Sequence, residues 1–295
     1  MNTKTAMITI AGRPNVGKST LTNFLVGEKI AIVSNKPQTT RNRICGIVTR
    51  EDTQFVFVDT PGYHKARTKL GDYMVNVSRE SIANVDATIL VVEPIASIGP
   101  QEEGLIEQIR GSKCPAILAI NKIDTVEKES LLAVIATYSQ TGAFDAIIPI
   151  SAKTGDGVDE LLKACQKYAI DSPFLFDPDL TTDQPERQVM AEIIREKILW
   201  NLDREVPHGT AVEITRFSER DSGIIDIDAT IYCEKASHKG IIIGKRGDML
   251  KKISTQARND CERFMGTKVF LTTWVKVKEN WRDSDFLVRN FGYNE

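Results

Sequence analysis

The sequence predicts an α/β domain followed by a smaller α+β domain. In the first half, short apolar runs at 7–11, 44–49, 54–59, 87–92, 116–120 and 146–151 alternate with helix-like stretches at 18–27, 70–83, 101–111, 128–140 and 157–169. That alternation predicts a mostly parallel sheet with helices on both faces. The pattern breaks at Asp171–Asp179, where Pro173 and Pro178 interrupt a stretch without clean period. Beyond it the order becomes helix, strand, strand, helix, helix, strand.

The first strand, Met7-Ile8-Thr9-Ile10-Ala11, leads into Gly12-Arg13-Pro14-Asn15-Val16-Gly17-Lys18-Ser19, and Thr20 follows. This is G-x-x-x-x-G-K-S, a phosphate-binding loop with no position missing. Glycines let backbone N–H groups wrap around phosphate oxygens. Lys18 is expected to reach the β- and γ-phosphates and Ser19 to ligate Mg²⁺. The helix opening at Ser19 adds an N-terminus that favours anions. The next segment, Ile30–Arg43, is polar and aperiodic and contains Thr39-Thr40-Arg41. A threonine hydroxyl here is expected to complete Mg²⁺ coordination when a γ-phosphate is bound. Thr40 is the favoured residue and Thr39 the alternative.

The runs 44–49 and 54–59, joined by Arg50-Glu51-Asp52-Thr53, predict a hairpin and hence one antiparallel edge. The second run ends at Asp59-Thr60-Pro61-Gly62, with Tyr63 next. A carboxylate at a strand tip can hold Mg²⁺, and Gly62 lets an N–H approach a γ-phosphate. The strand 116–120 ends at Asn121-Lys122-Ile123-Asp124. Asp124 can accept from guanine N1–H and the exocyclic amine, a donor pair that adenine lacks, so the motif predicts GTP and GDP rather than ATP. Ser151-Ala152-Lys153 follows the last strand and is expected to offer a backbone N–H to the guanine oxygen.

The ordered set GRPNVGKS, TTR, DTPG, NKID and SAK resembles a translation-factor-class GTPase. More narrowly, PNVGKS, PQTTRNR and DTPGYHK resemble the Era GTPases over residues 7–170. The resemblance implies a P-loop GTPase domain over 1–172, in which Lys18, Thr40, Asp59, Gly62 and Asn15 act in hydrolysis. It also implies small-subunit (30S) assembly, 16S rRNA processing, and binding near the 3′ end of that RNA. Two positions depart from the Ras pattern. Ras-like proteins place a glutamine after D-x-x-G to orient the attacking water, whereas this chain has Tyr63. Asn15 stands where related GTPases use an asparagine to hold K⁺, so K⁺ is a further candidate cofactor.

In the second half, a helix is expected over 184–204, with Val189, Ile193, Ile194, Lys197, Ile198 and Leu202 on one face. Strands follow at 210–217 and 223–233, then a short helix, Gly244-Lys245-Arg246-Gly247, a helix at 248–264 and a strand at 267–277. The G-x-x-G turn after Ile241–Ile243, in this element order, is similar to a type II KH domain, which clamps single-stranded nucleotides. Lys239, Ile243, Gly244, Lys245, Arg246 and Gly247 are the expected RNA contacts. Residues 235–252 hold Lys235, Lys239, Lys245, Arg246, Lys251 and Lys252 against Asp248 alone, a local basic footprint in a charge-balanced domain. The expected boundaries are a linker at 173–182, the KH domain at 183–280 and a tail at 281–295. Trp200, Trp274 and Trp281 are expected to pack rather than stack on bases.

Composition narrows the rest. A net charge of −2 excludes global basicity, and five scattered cysteines in 295 residues form no ligand motif, predicting reduced thiols in the cytoplasm. No stretch approaches the length of a membrane span, so peripheral membrane contact stays open. The chain is expected to act as a monomer. A metabolic NTPase and a static RNA-binding module are the rival readings. Asn121 and Asp124 argue against the first, and the intact Lys18, Ser19 and Asp59 against the second.

Overall fold

The computed structural model describes residues 3–62, 68–83 and 85–293. Contacts divide them into two units. One comprises the described residues up to 31, then 40–62 and 74–183; the other comprises 32–39, 68–73 and 184–293.

In the first unit, strands β1 (Lys4–Gly12), β2 (Ile44–Arg50), β3 (Thr53–Asp59), β4 (Ala87–Val92), β5 (Ala116–Ile120) and β6 (Ala146–Pro149) are ordered β2-β3-β1-β4-β5-β6. All neighbours are parallel except the hairpin β2–β3. The helices are α1 (Lys18–Val26), α2 (Lys69–Ala83), α3 (Pro100–Ser112), α4 (Lys128–Ser139) and α5 (Val158–Cys165), of which residues 69–73 of α2 fall in the second unit. Strand residues alternate between two cores. Ile8, Ile10, Ile89, Val91 and Ile117 pack with Leu21 and Leu161, whereas Leu90, Val92, Leu118 and Ile120 pack with Leu105, Ile109 and Val134. Burial on both faces explains why these strands read as unbroken apolar runs.

Two features differ from the expectation. The helix predicted to reach 169 ends at Cys165, and Ile170–Asp171 form a short strand, β7, antiparallel to β1. The proline-marked segment 173–182 runs along the sheet. The buried Gln54 side chain accepts from the Leu175 and Phe176 amides and donates to the Phe176 carbonyl. Further on, the Ile47 amide donates to the Thr181 carbonyl, and the Cys45 amide to the Asp183 carboxylate. The chain thus covers the outer edge of β2, which would otherwise present unpaired backbone groups.

The second unit contains α6 (Glu186–Asn201), β8 (Ala211–Glu219), β9 (Ile225–Cys233), α7 (Ala236–Ile243), α8 (Asp248–Met265), β10 (Val269–Val277) and α9 (Asp285–Asn290). The sheet order is β10-β9-β8, with β9 parallel to β10 and antiparallel to β8. Ile193, Ile194, Ile198, Ile227, Ile231, Ile253 and Ala257 form its core. Helix α6 is buried almost all round, polar residues included. The Lys197 ammonium lies 2.7 Å from Glu196 Oε2 and 2.5 Å from Asp260 Oδ2. Residues 32–39 lie on the same helix: the Val33 amide donates to Glu196 Oε1 at 2.9 Å, and Trp200 Nε1 donates to the Val33 carbonyl.

Candidate nucleotide site and nucleic-acid interface

The strand tips of the first unit bring the predicted nucleotide residues together. Gly12 leaves β1 with φ 153°, and a Cβ there would come 2.5 Å from the Val91 carbonyl oxygen. Gly17, φ 101°, caps α1 where a side chain would collide with Asn121 Nδ2. Only glycine meets both demands. Val16 is buried in the core, whereas Asn15 is exposed with φ 66°. Lys18 arches back over the loop, its Nζ donating to the Gly12 and Arg13 carbonyls at 3.1 and 3.0 Å.

Three oxygen-bearing side chains converge beside it. Ser19 Oγ donates to Asp59 Oδ2 at 2.7 Å and lies 2.9 Å from Thr40 Oγ1. Thr39 turns elsewhere, donating to the Lys36 carbonyl. Asp59 is fully buried, and its Oδ1 finds no hydrogen-bond partner among the described residues. Burial pushes the Asp59 carboxyl up to about 6 against the pull of Lys18. Burial likewise lowers the Lys18 ammonium to about 8, opposed by Asp59. Both charges therefore sit where low polarity penalises them, a condition that a charged ligand relieves. The two hydroxyls and the carboxylate are hard donors of the kind Mg²⁺ prefers. Thr60 Oγ1 donates to the Ile10 carbonyl, and Pro61 is buried. Gly62 approaches the loop so closely that a Cβ would lie 2.9 Å from the Pro14 nitrogen. Tyr63 and His64 lie outside the described residues.

The base-recognition motif also organises the loops. Asn121 Nδ2 donates to the Val16 carbonyl at 2.8 Å, and its Oδ1 accepts from the Ala152 amide at 2.9 Å. That amide is one the sequence offered to guanine; here it joins Asn121. Ser151 Oγ donates to Asp124 Oδ1 at 2.7 Å and so orients it, while Lys153 is exposed. Thr20 is half-buried on the first turn of α1. Lys122 Nζ donates to the Asn15 carbonyl at 2.7 Å. Sequence reasoning missed Glu93, which pairs with Lys122, and Glu102, which pairs with Arg13. Glu93 directly follows β4, and the strand-tip argument applied to Asp59 would have found it.

In the second unit, Gly244-Lys245-Arg246-Gly247 joins α7 to α8. Gly244 has φ 75°, and a Cβ would sit 2.6 Å from that of Met249. Gly247, φ 85°, has open space, so its backbone alone requires glycine. Lys245 and Arg246 are exposed, Lys239 is half-buried, and Ile243 packs against the core. The tryptophans divide. Trp281 is buried and donates to the Gly209 carbonyl. Contrary to expectation, Trp200 and Trp274 are 53% and 60% exposed. Trp200 nevertheless anchors Val33 by its ring N–H; Trp274 lies on β10, at the edge of the sheet.

A family model described as a 50S ribosome-binding GTPase matches residues 7–122, and a KH domain model matches 205–282. GTPase Era of Ruminiclostridium cellulolyticum is 53% identical, covering 99% of this chain and 98% of its own. The chain belongs to the Era GTPase family. GTPase Era of Clostridioides difficile is 50% identical over 99% of both chains. Two solved Era structures match at 36% identity and a TM-score of 0.94, covering 99% of this chain and all of theirs. One is a variant of Aquifex aeolicus Era bound to GDP·AlF4⁻; the other is Era in complex with MgGDPNP and nucleotides 1506–1542 of 16S ribosomal RNA.

Proposed function

We propose that this Era-family chain is a GTP-hydrolysing switch whose KH unit binds single-stranded RNA near the 3′ end of 16S rRNA, in 30S subunit assembly and 16S rRNA processing. The observation that carries the nucleotide half is the meeting of Ser19, Thr40 and Asp59 beside Lys18, with a buried Asp59 oxygen that has no hydrogen-bond partner among the described residues. Bound by Ser19, Thr40 and Asp59, Mg²⁺ would supply positive charge against phosphate oxygens. Lys18 neutralises charge that develops on the γ-phosphoryl group. Asp124, held by Ser151, selects guanine. Gly244–Gly247 supports the RNA half, since its glycines allow close approach to a phosphate backbone and Lys245 and Arg246 supply charge. The solved Era complex with 16S rRNA supports the choice of RNA.

Tyr63 in place of a glutamine leaves water-positioning help to be found elsewhere, and Asn15 is the residue we assign to a K⁺ ion. Turnover in KCl should exceed turnover in NaCl at equal ionic strength; equal rates would remove Asn15 from that role. Ribosome assembly makes the cytoplasm the proposed site of action. Among the described residues no helix is long and apolar enough to cross a membrane.

The switch itself is tested by RNA affinity. Binding of a 16S 3′-terminal oligonucleotide should differ between the GDP form and the form holding a non-hydrolysable GTP analogue. Identical affinities would leave two independent binding functions on one chain.

A further inference from the structure

We propose that Glu93 is a positioning residue for nucleotide retention, clasping the phosphate loop at two points through Arg13 and Lys122. The inference rests on the nucleotide reading above. Sheet order explains why one side chain reaches both. Strand β4 lies between β1 and β5, with Val91 opposite Gly12 and Val92 opposite Ile120. Glu93, the next residue, therefore emerges between the loop that follows β1 and the Asn121–Asp124 segment that follows β5. A sharp turn fixes it there, the Ile95 amide donating to the Glu93 carbonyl at 2.8 Å.

Its two carboxylate oxygens are used separately. Oε1 accepts from Lys122 Nζ at 2.5 Å, and that same ammonium donates to the Asn15 carbonyl at 2.7 Å. Oε2 lies 3.4 Å from Arg13 NH2. Arg13 is held from its other side by Glu102, whose Oε1 is 2.7 Å from Arg13 Nε. Glu102 is buried and is itself fixed by the Gly99 amide, which donates to Oε2 at 2.8 Å. Two carboxylates and two cations thus alternate in a line from Gly99 to Asn15. The line touches the loop at its second and fourth residues.

Asn15 is where restraint matters. Its φ of 66° is uncommon for a side-chain-bearing residue. Nothing covalent holds it there, and its carbonyl is turned toward Lys122. Without the carboxylate, Lys122 is a flexible four-carbon chain whose head keeps only the Asn15 carbonyl. Glu93 keeps it over the loop and so fixes the loop shape that a bound nucleotide requires. Glu93 touches no reacting atom, so its contribution is to ground-state binding rather than to the chemical step.

The experiment measures release of a fluorescent GDP derivative and steady-state GTP hydrolysis for the full chain and for Glu93→Gln. Loss of a charge-assisted hydrogen bond predicts release about tenfold faster and a KM higher by about the same factor. The kcat should change less than twofold. On a Lys122→Met background, adding Glu93→Gln should speed release by less than it does in the unaltered chain, because only the Arg13 arm is left to cut. Arg13→Gln cuts the other arm and gives a second measurement should Glu93→Gln unfold; it too should speed release. Release within twofold of the unaltered chain for both variants would overturn the clasp. So would a Glu93→Gln effect that multiplies fully with Lys122→Met. A chain that retained no GDP before any substitution would instead overturn the nucleotide reading itself.

Discussion

In the function we propose, Asp124 decides which base the site accepts; Ser151 orients it by donating to Oδ1 at 2.7 Å. Replacing Asp124 by Asn exchanges one acceptor for a donor. Asp124→Asn should weaken GTP binding by about a hundredfold, at ~1.5 kcal/mol for each of two charge-assisted bonds. Affinity for xanthine nucleotides, which present the complementary acceptor, should rise; competition binding with GTP and XTP reads both. Residues of this kind were legible because their chemistry is tied to a strand tip and to one another. The sequence alone places Lys18, Ser19, Asp59 and Asn121 and favours Thr40 over Thr39. The supporting charges are legible only in part: the tip of β4 marks Glu93, but nothing in the sequence names its partners. Glu93 and Glu102 acquire meaning only through the sheet order that sets β4 beside β1 and through the first turn of α3. The second use of Asn121, tying Val16 to Ala152, was hidden likewise, because a side chain's partners across loops are set by three dimensions. Trp200 and Trp274 misled because a large ring suggests burial, yet aromatic residues with a polar edge tolerate the surface.

At the level of elements, burial on both faces makes the strands of the first unit easy to read, whereas the prolines after Asp171 suggest no more than a connection. Proline does forbid helix and central strand there, but nothing forbids an extended chain from running along a sheet. Gln54 is the anchor, with both ends of its amide bonded to Leu175 and Phe176 backbone. Gln54→Leu keeps the volume but leaves two amides and a carbonyl unmet. It should cost about 2–3 kcal/mol, visible as a lower urea midpoint with unchanged slope for the first unit. Helix α6 carries the opposite lesson. Its apolar stripe includes Lys197, which reads as an intrusion, and the structure resolves it by pairing the ammonium with Glu196 and Asp260. Lys197→Met would leave the buried Glu196 carboxylate without its cation, whereas Asp260 keeps Arg263. The expected loss is about 3–5 kcal/mol, and unfolding of the second unit should shift to lower denaturant. Pairing the same change with Glu196→Gln and Asp260→Asn should restore part of that stability.

For the whole molecule, the two units are a P-loop GTPase unit and a KH unit on one polypeptide, each with its own core, and neither composition nor net charge foretold that pairing. The fold class followed from the change of pattern near Asp171. The grouping of 32–39 and 68–73 with the second unit did not follow, since linear order assigns them to the first. The chain that covers β2 also bears on how the molecule is made. Synthesis runs from the amino terminus, so β2 and β3 leave the ribosome long before Thr181 and Asp183, which pair with Ile47 and Cys45. All strands of this sheet precede Ser172, yet the outer edge of β2 stays uncovered until residues on the far side of the apparent boundary emerge. Arrested nascent chains exposing residues up to 172 should remain protease-sensitive in the first unit, and those exposing residues up to 183 should become resistant. Early resistance of the shorter chains would show that the edge can wait uncovered. The strap at Thr181–Asp183 thus seals an edge strand made long before it, and the order of translation becomes a constraint on when that edge is covered.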